Sequence, residues 1–90
     1  MVVNRVSLTS AATGALIATT GFGDPLIIRN IGPGVLYVGA DNTVTNLTGF
    51  PVSVYPAVNC EVNLMNFGGT VFGYADGGNC SVAVIQQVAG

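Results

Sequence analysis

The chain has no histidine, no lysine and no tryptophan, and almost no charge. Two arginines, Arg5 and Arg29, face four acidic residues, Asp24, Asp41, Glu61 and Asp76, for a net charge of −2. Each absence excludes something. Without a basic footprint to neutralise phosphates, the sequence predicts no nucleic-acid partner. Without histidine, the commonest general acid–base group is gone, and no serine or cysteine has an imidazole to activate it. The sequence therefore predicts no enzyme and no catalytic residue. Two cysteines, Cys60 and Cys80, make neither a disulfide framework nor, without histidine, a zinc set. They are expected to be buried free thiols acting as small hydrophobes, pointing into one core. The alternative is a Cys60–Cys80 bridge, which a reducing cytoplasm disfavours. No apolar run approaches the 18 residues of a membrane helix, so no membrane partner is expected. The start, MVVNRVSLTS, has no charged stretch leading into a long apolar one. No secretory signal is expected, and the chain should stay where it is made.

What is present is apolar and turn-rich. Half of the 90 residues are hydrophobic and 13 are glycine. A chain of this size buries roughly 60–65% of its unfolded surface, enough for one domain, 1–90, with modest margin. A free monomer usually keeps about a quarter of its residues charged. With only 7% charged, much of this surface is expected to be covered by partners, and the chain to be a homo-oligomer or part of an assembly.

The pattern along the chain is that of strands. Val2 to Thr9 alternates, with Val2, Val6 and Leu8 on the inward parity. Ala15 to Thr20 is a second strand, and Gly21 to Pro25 a turn. Leu26 to Ile31 and Val35 to Ala40 flank Asn30-Ile31-Gly32-Pro33-Gly34, whose turn residues predict a central β-hairpin. Asp41 to Thr48 is a polar loop, and Gly49-Phe50-Pro51-Val52 re-enters an extended segment. Cys60 to Met65 alternates cleanly. Thr70 to Ala75 and Cys80 to Val88 are separated by the turn residues Asp76-Gly77-Gly78-Asn79. About eight short strands at intervals of roughly 8–12 residues predict an all-β fold, a single small β-sandwich that is jelly-roll-like or barrel-like.

Candidate chemistry is sparse. Asp41 and Asp76 form a glycosidase-type carboxylate pair only if two turns meet in space; solvated turn aspartates are the simpler reading. Asp41 with Asn42 offers few ligands for calcium, so no metal and no cofactor is expected. Gly32-Pro33-Gly34 is followed by neither helix nor lysine and is not a phosphate loop. Asn46-Leu47-Thr48 and Asn79-Cys80-Ser81 match the glycosylation sequon but lack a secretory context. The aromatics are Phe22, Tyr37, Phe50, Tyr55, Phe67, Phe72 and Tyr74. Most are expected in the core or between subunits, and a sugar-stacking platform is the rival reading.

One stretch carries a resemblance. Ile28-Arg29-Asn30-Ile31-Gly32 leads into Val35-Leu36-Tyr37-Val38-Gly39. A polar loop, Asp41 to Thr48, then leads to Gly49-Phe50-Pro51-Val52, and Cys80-Ser81-Val82-Ala83-Val84-Ile85 makes a closing strand. This series is similar to the small β-sandwich capsid decoration and head-fibre proteins of tailed bacteriophages, over about two thirds of the chain from Leu26 onward. Its motifs are those of turns and strands, not of chemistry. The resemblance implies a structural virion protein, made in the host cytoplasm and bound to the outside of the capsid. It further implies the major capsid protein as partner and a trimer as the oligomer. Met1 to Asp24 is not covered and is expected to be an N-terminal arm or extra strands. Interface is sought in Val2, Val3, Arg5, Phe22, Arg29 and Tyr55, each arginine being a candidate partner for a shell carboxylate. The alternative is a carbohydrate-binding or host-attachment domain of a fibre or tail.

Overall fold

The computed structural model describes residues 2–11, 14–20, 26–64 and 69–86. These form six strands and no helix: β1 (Val2–Leu8), β2 (Ala15–Thr20), β3 (Leu26–Gly39), β4 (Phe50–Val52), β5 (Glu61–Leu64) and β6 (Gly69–Gln86). All belong to one antiparallel sheet. The expected turn at Gly21 to Pro25 lies outside the described residues.

The sheet is organised on two long strands. β3 and β6 run side by side over most of their length, from Leu26 opposite Gln86 to Gly39 opposite Phe72. The free flank of β6 takes β1 along Cys80–Gln86 and β2 along Gly69–Gly73. The free flank of β3 takes β5 along Leu26–Arg29 and β4 along Leu36–Val38. Two half-sheets result, β1-β6-β3-β5 and β2-β6-β3-β4, joined through the long pair.

The central hairpin expected at Asn30 to Gly34 does not form. That stretch stays within β3, and its turn residues build irregularities where a reversal was expected. Ile31 is an extra residue between the pairs Asn30–Val82 and Gly32–Ser81. Gly34 then faces the three residues Gly77 to Asn79 of β6, between the pairs Pro33–Cys80 and Val35–Asp76. The expected turn at Asp76 to Asn79 is likewise a bulge inside β6. The glycines have defined tasks here. A Cβ built on Gly34 would collide with the Gly78 carbonyl, so the two backbones touch at this point. Gly77, at φ +75°, takes the left-handed geometry that lets β6 absorb its extra residues. Two expected strand pairs are therefore two continuous strands, which turns eight expected strands into six.

Side-chain period follows from this. In β3 the even residues Leu26 to Val38 are buried throughout. In β6 the buried set is Val71, Gly73 and Ala75, then switches parity to Cys80, Val82 and Val84 beyond the bulge. A strand has a period of two, so an odd number of unmatched residues swaps its faces. One core cluster draws Leu26, Ile28, Val82 and Val84 from the first half-sheet and Ile17, Leu36, Val38, Val52 and Val71 from the second. Leu8 joins it, with Val6 packed against it, which is the inward parity expected of β1. In β2, Ile17 is the extra residue of a register shift and is buried, while its neighbour Leu16 is exposed.

Asn30 is the one fully buried polar side chain among the described residues. Its Nδ2 donates to the carbonyls of Gly34 (2.9 Å) and Val52 (3.0 Å), and its Oδ1 accepts from the Gly32 N–H (2.9 Å). Its backbone N–H donates to Cys60 O, and its carbonyl accepts from the Tyr55 N–H. One residue thus ties the β3 irregularity to β4 and to the 53–60 segment. Both cysteines are buried and free. Cys80 sits in the main core cluster, whereas Cys60, in the turn before β5, lies outside it.

The polar loop keeps its expected place and is anchored by Val44. This side chain is buried against Gly14, Gly39 and Gly49, where any added Cβ would come within 2.8 Å of it. Asp41 Oδ1 accepts from the Thr43 N–H (2.9 Å) and from the Thr43 hydroxyl, closing a local turn.

Candidate interaction surface

The outward residues of the first half-sheet form rows across its strands. One row runs Arg5 (β1), Ala83 (β6), Arg29 (β3), Glu61 (β5), since Ala83 stands opposite both arginines and Arg29 opposite Glu61. The next row is Ile85, Ile27, Asn63. Strand register therefore brings Arg5 and Arg29, the only cations of the sequence, to one face of one half-sheet.

Arg29 is fixed from two sides. Its Nε and Nη2 donate to Glu61 Oε2 at 3.1 and 2.5 Å. Its guanidinium lies over the Tyr55 ring, 5.3 Å from the centroid. The hydrogen bond to Glu61, followed by the attraction between the charges, raises the Arg29 pKa above its ordinary value. Tyr55 owes its position to the bond from its N–H to Asn30 O at 2.8 Å. Arg5 has a lighter tether, Nη1 to Ser81 Oγ at 3.3 Å.

Of the residues singled out from sequence, Arg5, Arg29 and Tyr55 meet on or beside this face. Val2 and Val3 open β1 opposite Gln86 and Ile85. Phe22 lies outside the described residues, as does Asp24. Sequence reasoning missed Ala83, Ile27, Ile85 and Glu61, because only the register reveals which strands flank the arginines. The alternation of Cys60 to Leu64 was the one available signal, as it put Glu61 on an outward parity.

The second half-sheet has a different outer face. Tyr37 pairs with Tyr74 on one side and Pro51 on the other; Phe72 pairs with Gly39 and with Leu16. Leu16, Leu47, Phe50, Tyr55 and Val58 are each more than half exposed. An apolar cleft of about 410 Å³ opens beside Val38, Phe50, Val62 and Val71.

The carboxylates are dispersed. Glu61 is paired with Arg29. The Asp41 carboxyl is held below the usual carboxylate range by the Thr43 hydroxyl and then by its N–H. Asp76 sits in β6 opposite Val35, within a strand where a turn was expected. Among the described residues no group of three or more histidine, cysteine or acidic side chains is placed to hold a metal ion.

No family model, no curated protein and no solved structure matches the chain.

Proposed function

We propose that the chain is a structural virion protein of a tailed bacteriophage, a decoration protein that binds the outside of the capsid and stabilises the shell. The major capsid protein is its partner in this reading. The chain works as a homo-oligomer, a trimer by preference, and its two half-sheets fold over one another as a β-sandwich. The observation that carries the reading is the surface. Five large apolar side chains stand more than half exposed on a chain with two cations and four anions. Such a surface suits an assembled subunit better than a free monomer. The edge strand β1 adds support: its seven residues pair only with β6 among the described residues, and a long uncovered edge invites another chain. The mechanism is mass action, since a protein that binds only the assembled shell raises the cost of opening it.

The test is the copy number of the chain in purified particles, measured by mass spectrometry against the major capsid protein. Hundreds of copies at a fixed ratio support lattice decoration, and absence from the particle refutes a virion role. A second reading, a carbohydrate-binding or host-attachment domain of a fibre or tail, is favoured by the exposed rings of Phe50 and Tyr55. It predicts a few copies to a few dozen per particle and binding on a glycan array.

A further inference from the structure

The arginine row has the build of a binding seat. Arg5 and Arg29 flank the same residue, Ala83, so their Cα atoms are two strand spacings apart, about 9.6 Å. Two long side chains from that separation can converge on one small anion. Ala83 is too short to fill the space beside it, and a depression of about 150 Å³ opens on its Arg29 side, lined by Ile27, Arg29, Glu61, Ala83 and Ile85, with Arg5 on the neighbouring strand across Ala83. The Arg29 guanidinium is already ordered by Glu61 through Nε and Nη2 and by the Tyr55 ring, and among the described residues no bond commits its Nη1. Arg5 meets no carboxylate among the described residues. Ordering the donors beforehand reduces what binding must supply.

We infer that Arg5 and Arg29 clamp an acidic side chain of a partner protein, with Ala83 as the floor and Ile27 and Ile85 as an apolar flank. Charge selects the occupant. Glu61 neutralises one of the two cations, so the face carries a net single positive charge. That matches one carboxylate and is far below what a nucleic-acid backbone requires. The isoleucine flank favours a carboxylate set among aliphatic residues. The inference rests on the virion reading only for the partner's identity, a carboxylate of the shell, and not for the chemistry of the seat.

The seat is tested by amide NMR titration with a capped peptide of alternating leucine and glutamate. Its glutamine counterpart and an oligothymidylate are the comparisons. The glutamate peptide is expected to shift the amides of Arg5, Ala83 and Arg29. The response should fall at least 5-fold in 0.5 M salt and vanish in the Arg5→Gln/Arg29→Gln variant, whose spectrum also reports that it folds. Equal shifts with the glutamine peptide, stronger shifts with the oligothymidylate, or an unchanged response in the double variant would each overturn the assignment. A second arm measures binding to particles stripped of this chain, where the double variant should bind at least 10-fold more weakly. If the variant binds stripped particles as the parent does, the clamp is wrong and the virion role stands. If the peptide binds as expected and neither protein binds particles, the clamp stands and the virion role falls.

Discussion

Replacing Asn30 should cost more stability than any surface change in this chain. The Asn30→Ala variant loses three hydrogen bonds at once, to Gly34 O, Val52 O and Gly32 N–H, in a site with no solvent exposure. An unsatisfied buried polar group costs roughly 1–3 kcal/mol, and partial relief comes from relaxation and water entry, so the loss should be about 3–5 kcal/mol. A domain of this size has a total stability of roughly 5–13 kcal/mol, so the variant should be marginal. Urea unfolding followed by circular dichroism measures the loss as a fall in midpoint at nearly constant slope. The near-isosteric Asn30→Asp variant separates hydrogen bonding from volume. It keeps the acceptor for Gly32 N–H but turns an oxygen toward two carbonyls, which raises its folded pKa above the unfolded value of about 3.9. A raised folded pKa contributes stability below the unfolded pKa and loses it as pH rises through the folded one. Relative to the parent at the same pH, Asn30→Asp should therefore be least damaged near pH 3.5 and most damaged at pH 7. A loss under about 1 kcal/mol for Asn30→Ala, or no pH trend for Asn30→Asp, would refute the role assigned to this side chain.

Three further outcomes are expected. Gly34→Ala should destabilise by about 3 kcal/mol or more, because its Cβ meets the Gly78 backbone. Gly77→Ala, at φ +75° with open space around it, should cost only about 1–2 kcal/mol of backbone strain; urea melts of the pair compare collision with strain. Burial pushes the Cys80 thiol up, so the neutral form is favoured in the fold at pH values below and around the ordinary thiol range. Ellman's reagent at pH 8 should accordingly leave Cys80 unreacted in the native chain and label it once urea unfolds the chain. The Asp41 carboxyl is held low by Thr43, so its contribution to loop order is present above the ordinary aspartate pKa and lost as pH falls through the depressed folded value. The Thr43 amide shift should titrate in that acid window, and Asp41→Asn should abolish the titration.

How much of this was legible in the sequence depends on whether a feature is local. β2 runs from Ala15 to Thr20 as the pattern predicts, and the polar loop keeps its place, because short-range alternation and polarity decide both. The central hairpin was misread because asparagine, glycine and proline serve bulges as well as turns. What keeps Asn30 within a continuous strand is a bond to Val52, 22 residues away, and the close approach of Gly34 to Gly78. Neither leaves a trace in the local pattern. The same holds for Asp76 to Asn79. The arginine row is a stronger case. Arg5 was visible in a strand with one parity inward, and Arg29 in another. That both flank Ala83 is a fact of register, and a one-residue slip of either strand would have sent its arginine to the other face.

The bulges also explain how so small a chain can present two unlike outer surfaces. β3 and β6 each serve both half-sheets, and both change register at the same level, between Asn30 and Val35 on one and between Asp76 and Cys80 on the other. In β6 the change swaps parity, so Phe72 and Tyr74 face outward in the second half-sheet, and Ser81, Ala83 and Ile85 face outward in the first. Had Gly77 to Asn79 continued the regular alternation from Val71 as ordinary strand residues, Ser81 and Ala83 would be buried and Cys80, Val82 and Val84 exposed. The core would lose three apolar side chains, and the floor of the arginine seat would turn inward. The glycines at this crossing therefore matter to the surface as much as to the fold. They set which side chains of β6 stand between Arg5 and Arg29, and they separate a face that carries both cations from one lined by Tyr37, Phe72 and Tyr74. In an assembled role, contact with a charged partner and contact between copies can then occupy different faces of one sheet. Substitutions at Arg5 and Arg29 should leave oligomeric state unchanged, as judged by sedimentation, while altering partner binding. A loss of both together would mean that one face does both jobs.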